Sequence, residues 1–444
     1  MNSSAEINTP INYDIVTKKI DESKLENVGT ATIREIKKLI DNIESATGEK
    51  FVRMEMGIPG LPATQIGIEA EIAALRSGVA SIYPDIFGIP QLKTEASRFV
   101  KLFMNKDVSP EGCLPTVGSM QGSFAAFLTC NRLNPQKDTT LFIDPGFPVH
   151  KQQLKVLGQK FEAFDVYNYR GDKLAEKLES YLVKNNISCM LYSNPNNPSW
   201  ICFTEKELKI IGELANKYDV IVLEDLAYFA MDFRKDMSKP GEPPYQPTVA
   251  NYTDNYVFLI SSSKAFSYAG QRIGLMVISD KLYGRKYPGL KKNYSSDSFG
   301  YAMIYGSVYA LSAGITHSAQ YALAAILKAV NDGKFDFVEV VKEYGAKAKI
   351  MKKLFTDNGF NIVYDMDEDQ PIADGFYFTF SYPGMGGAEL LKELLYYGIS
   401  AISLIITGSE RTEGIRACVS LVKREQFGDL EYRLKRFNED HGKI

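Results

Sequence analysis

Four short apolar runs, TTLFID (139–144), SCMLYS (188–193), VIVLED (220–225) and YVFLISS (256–262), each stop at a polar or turn residue, and segments with helical spacing such as 205–218 separate them. Strands without polar alternation have both faces covered, and such strands come from parallel sheets whose crossovers are helices. The pattern predicts an α/β fold, a three-layer large domain built on a mostly parallel sheet. From about Lys334 the texture changes to a charged amphipathic helix and shorter strands, which predicts a smaller α+β domain. The expected division is an N-terminal segment 1–55 contributing to the small domain, a large domain 56–329 and a C-terminal small domain 330–444. With 444 residues, 45% of them hydrophobic, the chain can bury one large core and a smaller second one. Thr32-x-x-Glu35 reads as a capping box, and Ile33, Ile36, Ile40 and Ile43 recur at helical spacing, so the first helix is expected to start near Thr32.

Charge excludes some partners. Lys and Arg total 51 against 54 Asp and Glu, a net −3 that offers no footprint for nucleic acid or an anionic membrane. Residues 1–50 hold seven basic against nine acidic residues, a poor DNA-reading module, so a ligand-sensing regulator is disfavoured. Five cysteines form no CxxC pair and only three histidines could join them, so no metal site is expected. MNSSAEINTP lacks a basic region followed by an apolar run, which points to the cytoplasm. Residues 298–327 carry no Asp, Glu, Lys or Arg, a length that could span a bilayer. Gly300, Gly306, Gly314, Ser307, Ser312, Thr316, His317 and Gln320 interrupt it, so burial between two protein bodies is expected instead.

Ligands of such sheets sit at the carboxyl ends of the strands. Gly118-Ser119-Met120-Gln121-Gly122 opens a helix after CLPTV and can hold an anion on backbone N–H groups; Asp225 ends VIVLED, and Lys264 follows YVFLISS. A nucleophilic lysine must lose its proton near neutrality, which desolvation and a nearby cation favour; Arg272 supplies the cation. Arg272, Ser261 and the helix start at Ser119 also suit a dianionic phosphate. A strand-end carboxylate such as Asp225 keeps a heterocyclic nitrogen protonated and makes the ring an electron sink. An amine, a phosphate site and that acid together point to pyridoxal 5'-phosphate.

SSSKAFSYAGQRIG (261–274) resembles the lysine signature of class I/II pyridoxal-phosphate aminotransferases of fold type I, aspartate aminotransferase-like, and further motifs occur in that family's order. The resemblance implies the following. Asn197 in SNPNNPSW and Tyr228 in EDLAYF bond the cofactor's phenolic oxygen, and Asp225 faces its ring nitrogen. Phe147 in DPGFPVH stacks on the ring, the backbone of Ser119 and Met120 holds the phosphate, and Tyr83 in YPDIFGIPQL reaches the phosphate of a second subunit in a homodimer. Gly57 in MEMGIPG lies near the substrate carboxylate, which Arg416 in GIRACVS clamps. The activity implied is ping-pong transfer of an amino group from an L-amino acid to a 2-oxo acid, with Lys264 as general base and acid.

Plainer readings stand beside these. Asp225 and Tyr228 can be a strand-end cap and a core tyrosine, Phe147 core, Ser119 an N-cap, Tyr83 a turn residue before Pro84, and Arg416 the partner of a structural carboxylate. His150 and His317 read as packing residues. An amino-acid lyase or decarboxylase on the same scaffold is the alternative activity. Arg285, Lys286, Lys291 and Lys292 are candidates for a second carboxylate contact, and Tyr83, Tyr268 and Phe380 for an aromatic pocket. One departure stands out: Ser199-Trp200 follow Asn197-Pro198 where the family has Thr-Gly, so the turn is expected to differ, because tryptophan takes glycine's positive φ only under strain.

Overall fold

The computed structural model describes residues 9–442. The opening MNSSAEIN, part of the stretch read for a leader and of the 1–55 segment, lies outside the described residues. The four apolar runs form strands Thr139–Asp144, Ile187–Ser193, Ile221–Leu226 and Tyr256–Ser261 of one seven-stranded sheet. Its order is Cys113–Thr116, Gly274–Ile278, Tyr256–Ser261, Ile221–Leu226, Ile187–Ser193, Thr139–Asp144, Lys160–Asp165. Neighbours from Tyr256–Ser261 to the Lys160–Asp165 edge run parallel, while Gly274–Ile278 is antiparallel to both its neighbours. The four runs are buried along their whole length as strands. Helix Glu205–Tyr218 begins at a second capping box, Thr204 with Glu207.

A four-stranded antiparallel sheet includes Tyr377–Ser381 and Ile415–Cys418, and helix Phe337–Asp357 packs on it. The strand Val52–Arg53 pairs in parallel with Ile399–Ser400, which ties the N-terminal segment to the C-terminal part of the chain.

Helix Ile33–Thr47 carries the Thr32–Glu35 capping box and buries Ile36, Leu39, Ile40 and Ile43. It is not the first helix. Tyr13–Ser23 precedes it, capped by Asn12 and burying only Val16 and Ile20, too sparse a stripe for its period to be read. The uncharged stretch is broken at residues 313–316, between Tyr309–Ser312 and His317–Asn331. Among the described residues no helix is long and apolar enough to cross a membrane.

Candidate active site

The strand Tyr256–Ser261 delivers Lys264 on a one-turn helix, Ser262–Ala265, whose serines brace it. Ser261 Oγ accepts from the Ser263 amide at 3.1 Å, and Ser262 Oγ donates to the Ile273 carbonyl at 2.6 Å. The loop is anchored again at Tyr268, whose hydroxyl donates to the buried Glu71 at 2.7 Å. The Lys264 amine has no hydrogen-bond partner among the described residues. Burial pushes it down to about 8; Arg272 and Arg416 act in the same direction, Cys418 and Asp225 against it.

Asp225, buried at the end of the adjacent strand, accepts one backbone bond from Ala227 at 3.1 Å. This is the turn-forming role of the plainer reading, and it leaves the second oxygen for other work. His150 Nε2 stands 3.9 Å from that oxygen. Burial pushes Asp225 up to about 7 and His150 down to about 4, so near neutrality the imidazole is uncharged and cannot offset the acid. A protonated ring nitrogen could. His150 packs at the Asp225 end of the sheet, a place beyond the plain core position read for it. The available signal was its place just after Phe147, in the first turn of the helix Pro148–Leu157 that follows a strand end.

Gly118 opens the helix Gly118–Cys130 at φ 63°, and a Cβ there would fall 2.6 Å from Arg272 Nη2. Arg272 itself is left-handed at φ 50°, with Nη1 donating to the Ala269 carbonyl at 2.8 Å. Ser261 pairs in register with Gly274, and a Cβ on Gly274 would lie 3.2 Å from the Ser119 amide. Strand end, guanidinium and helix N-terminus thus close on one small cradle suited to an anion. No side chain caps the helix, so Ser119 is not spent as an N-cap; Met120 is exposed and its carbonyl accepts from Gln153 at 2.8 Å.

Arg416 is fully buried on the strand Ile415–Cys418. Nη1 donates to Asn197 Oδ1 at 3.3 Å, Nη2 to the Glu55 carbonyl at 2.6 Å, and Nε has no partner among the described residues. The Tyr377 ring lies 4.5 Å from the guanidinium carbon. No carboxylate pairs with it among the described residues, and the Glu55 carboxylate is taken by Arg53 and Ser400. A buried cation without a counter-anion is costly, so the arrangement awaits one. Tyr228 and Tyr377 share a hydroxyl hydrogen bond of 2.8 Å, and Gly57 is held so close to the Tyr377 hydroxyl that a Cβ would fall 2.1 Å from it.

Of the remaining candidates, Phe147 stands next to His150 at the Asp225 end of the sheet and the others lie apart. Phe147 is half-buried with its ring edge-on to His150 at 5.5 Å. Tyr83 is 88% exposed and faces away from its own chain. Arg285 is clamped on Asp219, Lys291 pairs with Asp297 at 3.3 Å, and Phe380 packs in the small sheet on Phe355 at 4.3 Å. Trp200 overturns one expectation: it takes φ 66° after all, its amide closing the turn onto the Asn196 carbonyl at 2.9 Å. Full burial of the indole, against Tyr228 and Tyr377, offsets the strain.

A mostly parallel sheet ending in a free amine, a buried acid and an anion cradle is the architecture of fold type I pyridoxal-phosphate enzymes. The family described as "Aminotransferase class I and II" matches residues 57–368. A Methanocaldococcus jannaschii protein named "Probable aspartate aminotransferase" is 24% identical over 398 residues, 89% of this chain and 93% of its own length. A solved Thermus thermophilus aspartate aminotransferase mutant superposes with a TM-score of 0.75 at 16% identity, covering 94% of this chain and 98% of that one. A Pyrococcus furiosus alanine aminotransferase gives 0.73 at 19%, covering 93% and 98%. The chain belongs to the class I and II aminotransferase family. It is a pyridoxal-phosphate-dependent aminotransferase, and nothing in these likenesses favours a lyase or decarboxylase.

The residues fit that cofactor on three counts. The Gly118 turn, without a Cβ, lets the Arg272 guanidinium close on the helix N-terminus as a phosphate site requires; among the described residues the Lys264 amine and the Asn197 amide nitrogen have no partner, while the Asn197 oxygen holds Arg416.

Proposed function

We propose that Lys264 carries the cofactor and moves the substrate proton, that Asp225 faces the ring nitrogen, and that Asn197 and Tyr228 donate to the phenolic oxygen. Phe147 covers the ring face; Ser119, Met120, Ser261 and Arg272 hold the phosphate. Arg416, with Asn197 and Gly57 beside it, receives the substrate carboxylate. When bound, pyridoxal 5'-phosphate supplies an aldehyde to receive the amino group and a pyridinium ring to draw off the electron pair left at the α-carbon.

Arg416 orients the amino acid by two parallel charge-assisted bonds, so that its α-hydrogen meets the Lys264 amine. Lys264 Nζ, depressed to about 8, is free base often enough near neutrality to take that proton from the α-carbon, and in the second half-reaction it gives a proton to the α-carbon of the incoming 2-oxo acid. Asp225, pushed up to about 7 by burial, would be held in its charged form by a positive ring nitrogen placed beside it. The product oxo acid leaves before the acceptor enters, which makes the exchange ping-pong.

The observation that carries this reading is an amine with no hydrogen-bond partner beside a fully buried guanidinium with no counter-anion, both among the described residues. Lys264→Ala tests it: amino transfer and the absorbance of the covalently held cofactor are both expected to vanish, and retained turnover would refute it.

We also propose a cytoplasmic homodimer, divided into residues 1–55 with 330–444 as one body and 56–329 as the other. The pairing of Val52–Arg53 with Ile399–Ser400 supports the division. Five free, buried cysteines suit a reducing compartment. Exposed Ile82, Tyr83, Tyr301, Tyr305, Tyr309 and Leu311 support an interface, since Phe87 meets Tyr305 at 5.4 Å and brings the two segments together.

A further inference from the structure

Trp200 occupies a backbone slot made for glycine. A bulky residue at φ 66° costs about 1–2 kcal/mol, and strain of this kind persists where the surroundings over-determine it. Here the surroundings are two tyrosines of the site. The indole meets the Tyr228 ring at 5.3 Å and the Tyr377 ring at 6.1 Å, both edge-on. It lies over Gly375, where a Cβ would fall 1.9 Å from Cε2 and 2.1 Å from Nε1. Its Nε1–H is buried without a partner among the described residues, although an indole in a core is normally placed so that this donor is satisfied. If filling volume were its only task, an alanine at residue 375 and a glycine at 200 would fill part of that space with neither strain nor an orphaned donor.

The two tyrosines are joined by their hydroxyls at 2.8 Å, and Tyr377 also forms the face under Arg416 at 4.5 Å. One indole therefore touches both the donor to the phenolic oxygen and the support of the carboxylate clamp. We propose that Trp200 is a positioning residue for amino transfer, its indole holding the Tyr228–Tyr377 hydroxyl pair in register with the cofactor oxygen and with Arg416. This rests on the roles proposed above for Tyr228 and Arg416. Trp200 acts through packing: it removes the freedom of Tyr228 to turn away, so the hydrogen bond to the anionic oxygen is preorganised and need not be assembled at each turnover.

Trp200 is the one tryptophan of the chain, so indole fluorescence reports on this spot alone. In cofactor-free full-length protein, Gly375→Ala is expected to shift its emission to longer wavelength and to increase quenching by acrylamide; unchanged emission would overturn the packing claim without reference to activity. In the loaded enzyme, the pH midpoint of the bound cofactor's absorbance reads the donor to the phenolic oxygen. Loss of alignment weakens a charge-assisted bond, so Trp200→Gly is expected to raise that midpoint by about one pH unit and to raise KM for amino acid, while Trp200→Phe restores much of both. Tyr228→Phe, which leaves the indole in place, separates the two ideas. If it raises the midpoint while Trp200→Gly and Gly375→Ala do not, the positioning role falls and the role of Tyr228 stands. If Tyr228→Phe leaves the midpoint unmoved, the reading of Tyr228 fails and takes this proposal with it.

Discussion

Arg416 and Asn197, 219 residues apart in the chain, meet through a hydrogen bond of 3.3 Å between Nη1 and Oδ1. The bond couples the end of one sheet to a strand of the other, at the place proposed for the substrate carboxylate. It points the guanidinium and orients the amide in one stroke, leaving the Asn197 nitrogen free to donate.

Removing that cation isolates its task. Arg416→Gln is expected to lower kcat/KM for every amino acid and oxo acid by about 100-fold or more, since two charge-assisted bonds of roughly 1.5–3 kcal/mol each are lost. Cofactor content should be unchanged; loss of cofactor in step with activity would contradict the assignment.

The depressed amine predicts a pH dependence for reloading. Burial lowers Lys264 in the folded protein to about 8, so below that pH most of it is protonated and unreactive, and above it most is free base. The rate at which cofactor-free protein takes up pyridoxal phosphate should rise about tenfold between pH 7 and 9 and then level off. A rate still climbing steeply above pH 10 would mean an ordinary, solvated lysine.

Gly118→Ala places a methyl 2.6 Å from Arg272 Nη2 on a backbone at φ 63°. The guanidinium can swing away, but only by leaving the cradle. Affinity for the cofactor, measured by titration, is expected to fall about tenfold, and stability by about 1–2 kcal/mol from the left-handed backbone. Excess cofactor should restore activity.

The exposed aromatic face predicts assembly. Sedimentation should give a dimer, and Tyr305→Asp, which replaces the ring stacked at 4.4 Å on Tyr301 with a charge, should shift it toward monomer with loss of activity. A monomer with full activity would contradict both the interface and the role of Tyr83.

The strand ends are legible in the amino-acid sequence. TTLFID and its three companions delimit their strands to within a residue, because a buried strand is an unbroken apolar run closed by local turn chemistry. Lys264 and Arg272 can be paired because they lie eight residues apart in one loop. The helix Tyr13–Ser23 escapes such reading, since it leans on the distant Tyr396, whose ring stacks on Tyr13 at 4.4 Å, more than on a stripe of its own.

What the sequence alone determined, then, is what interactions within a few residues decide: where strands stop, where helices are capped, which polar groups stand at strand ends. The tertiary structure decided which of them meet. His150 lies 3.9 Å from Asp225, Arg416 finds a carbonyl and an amide instead of a carboxylate, and Trp200 accepts a left-handed backbone because burial between two tyrosines outweighs its strain. Such outcomes depend on close packing between segments far apart in the chain, where the direction of one side chain is set by the shape of others, and no local pattern carries that shape.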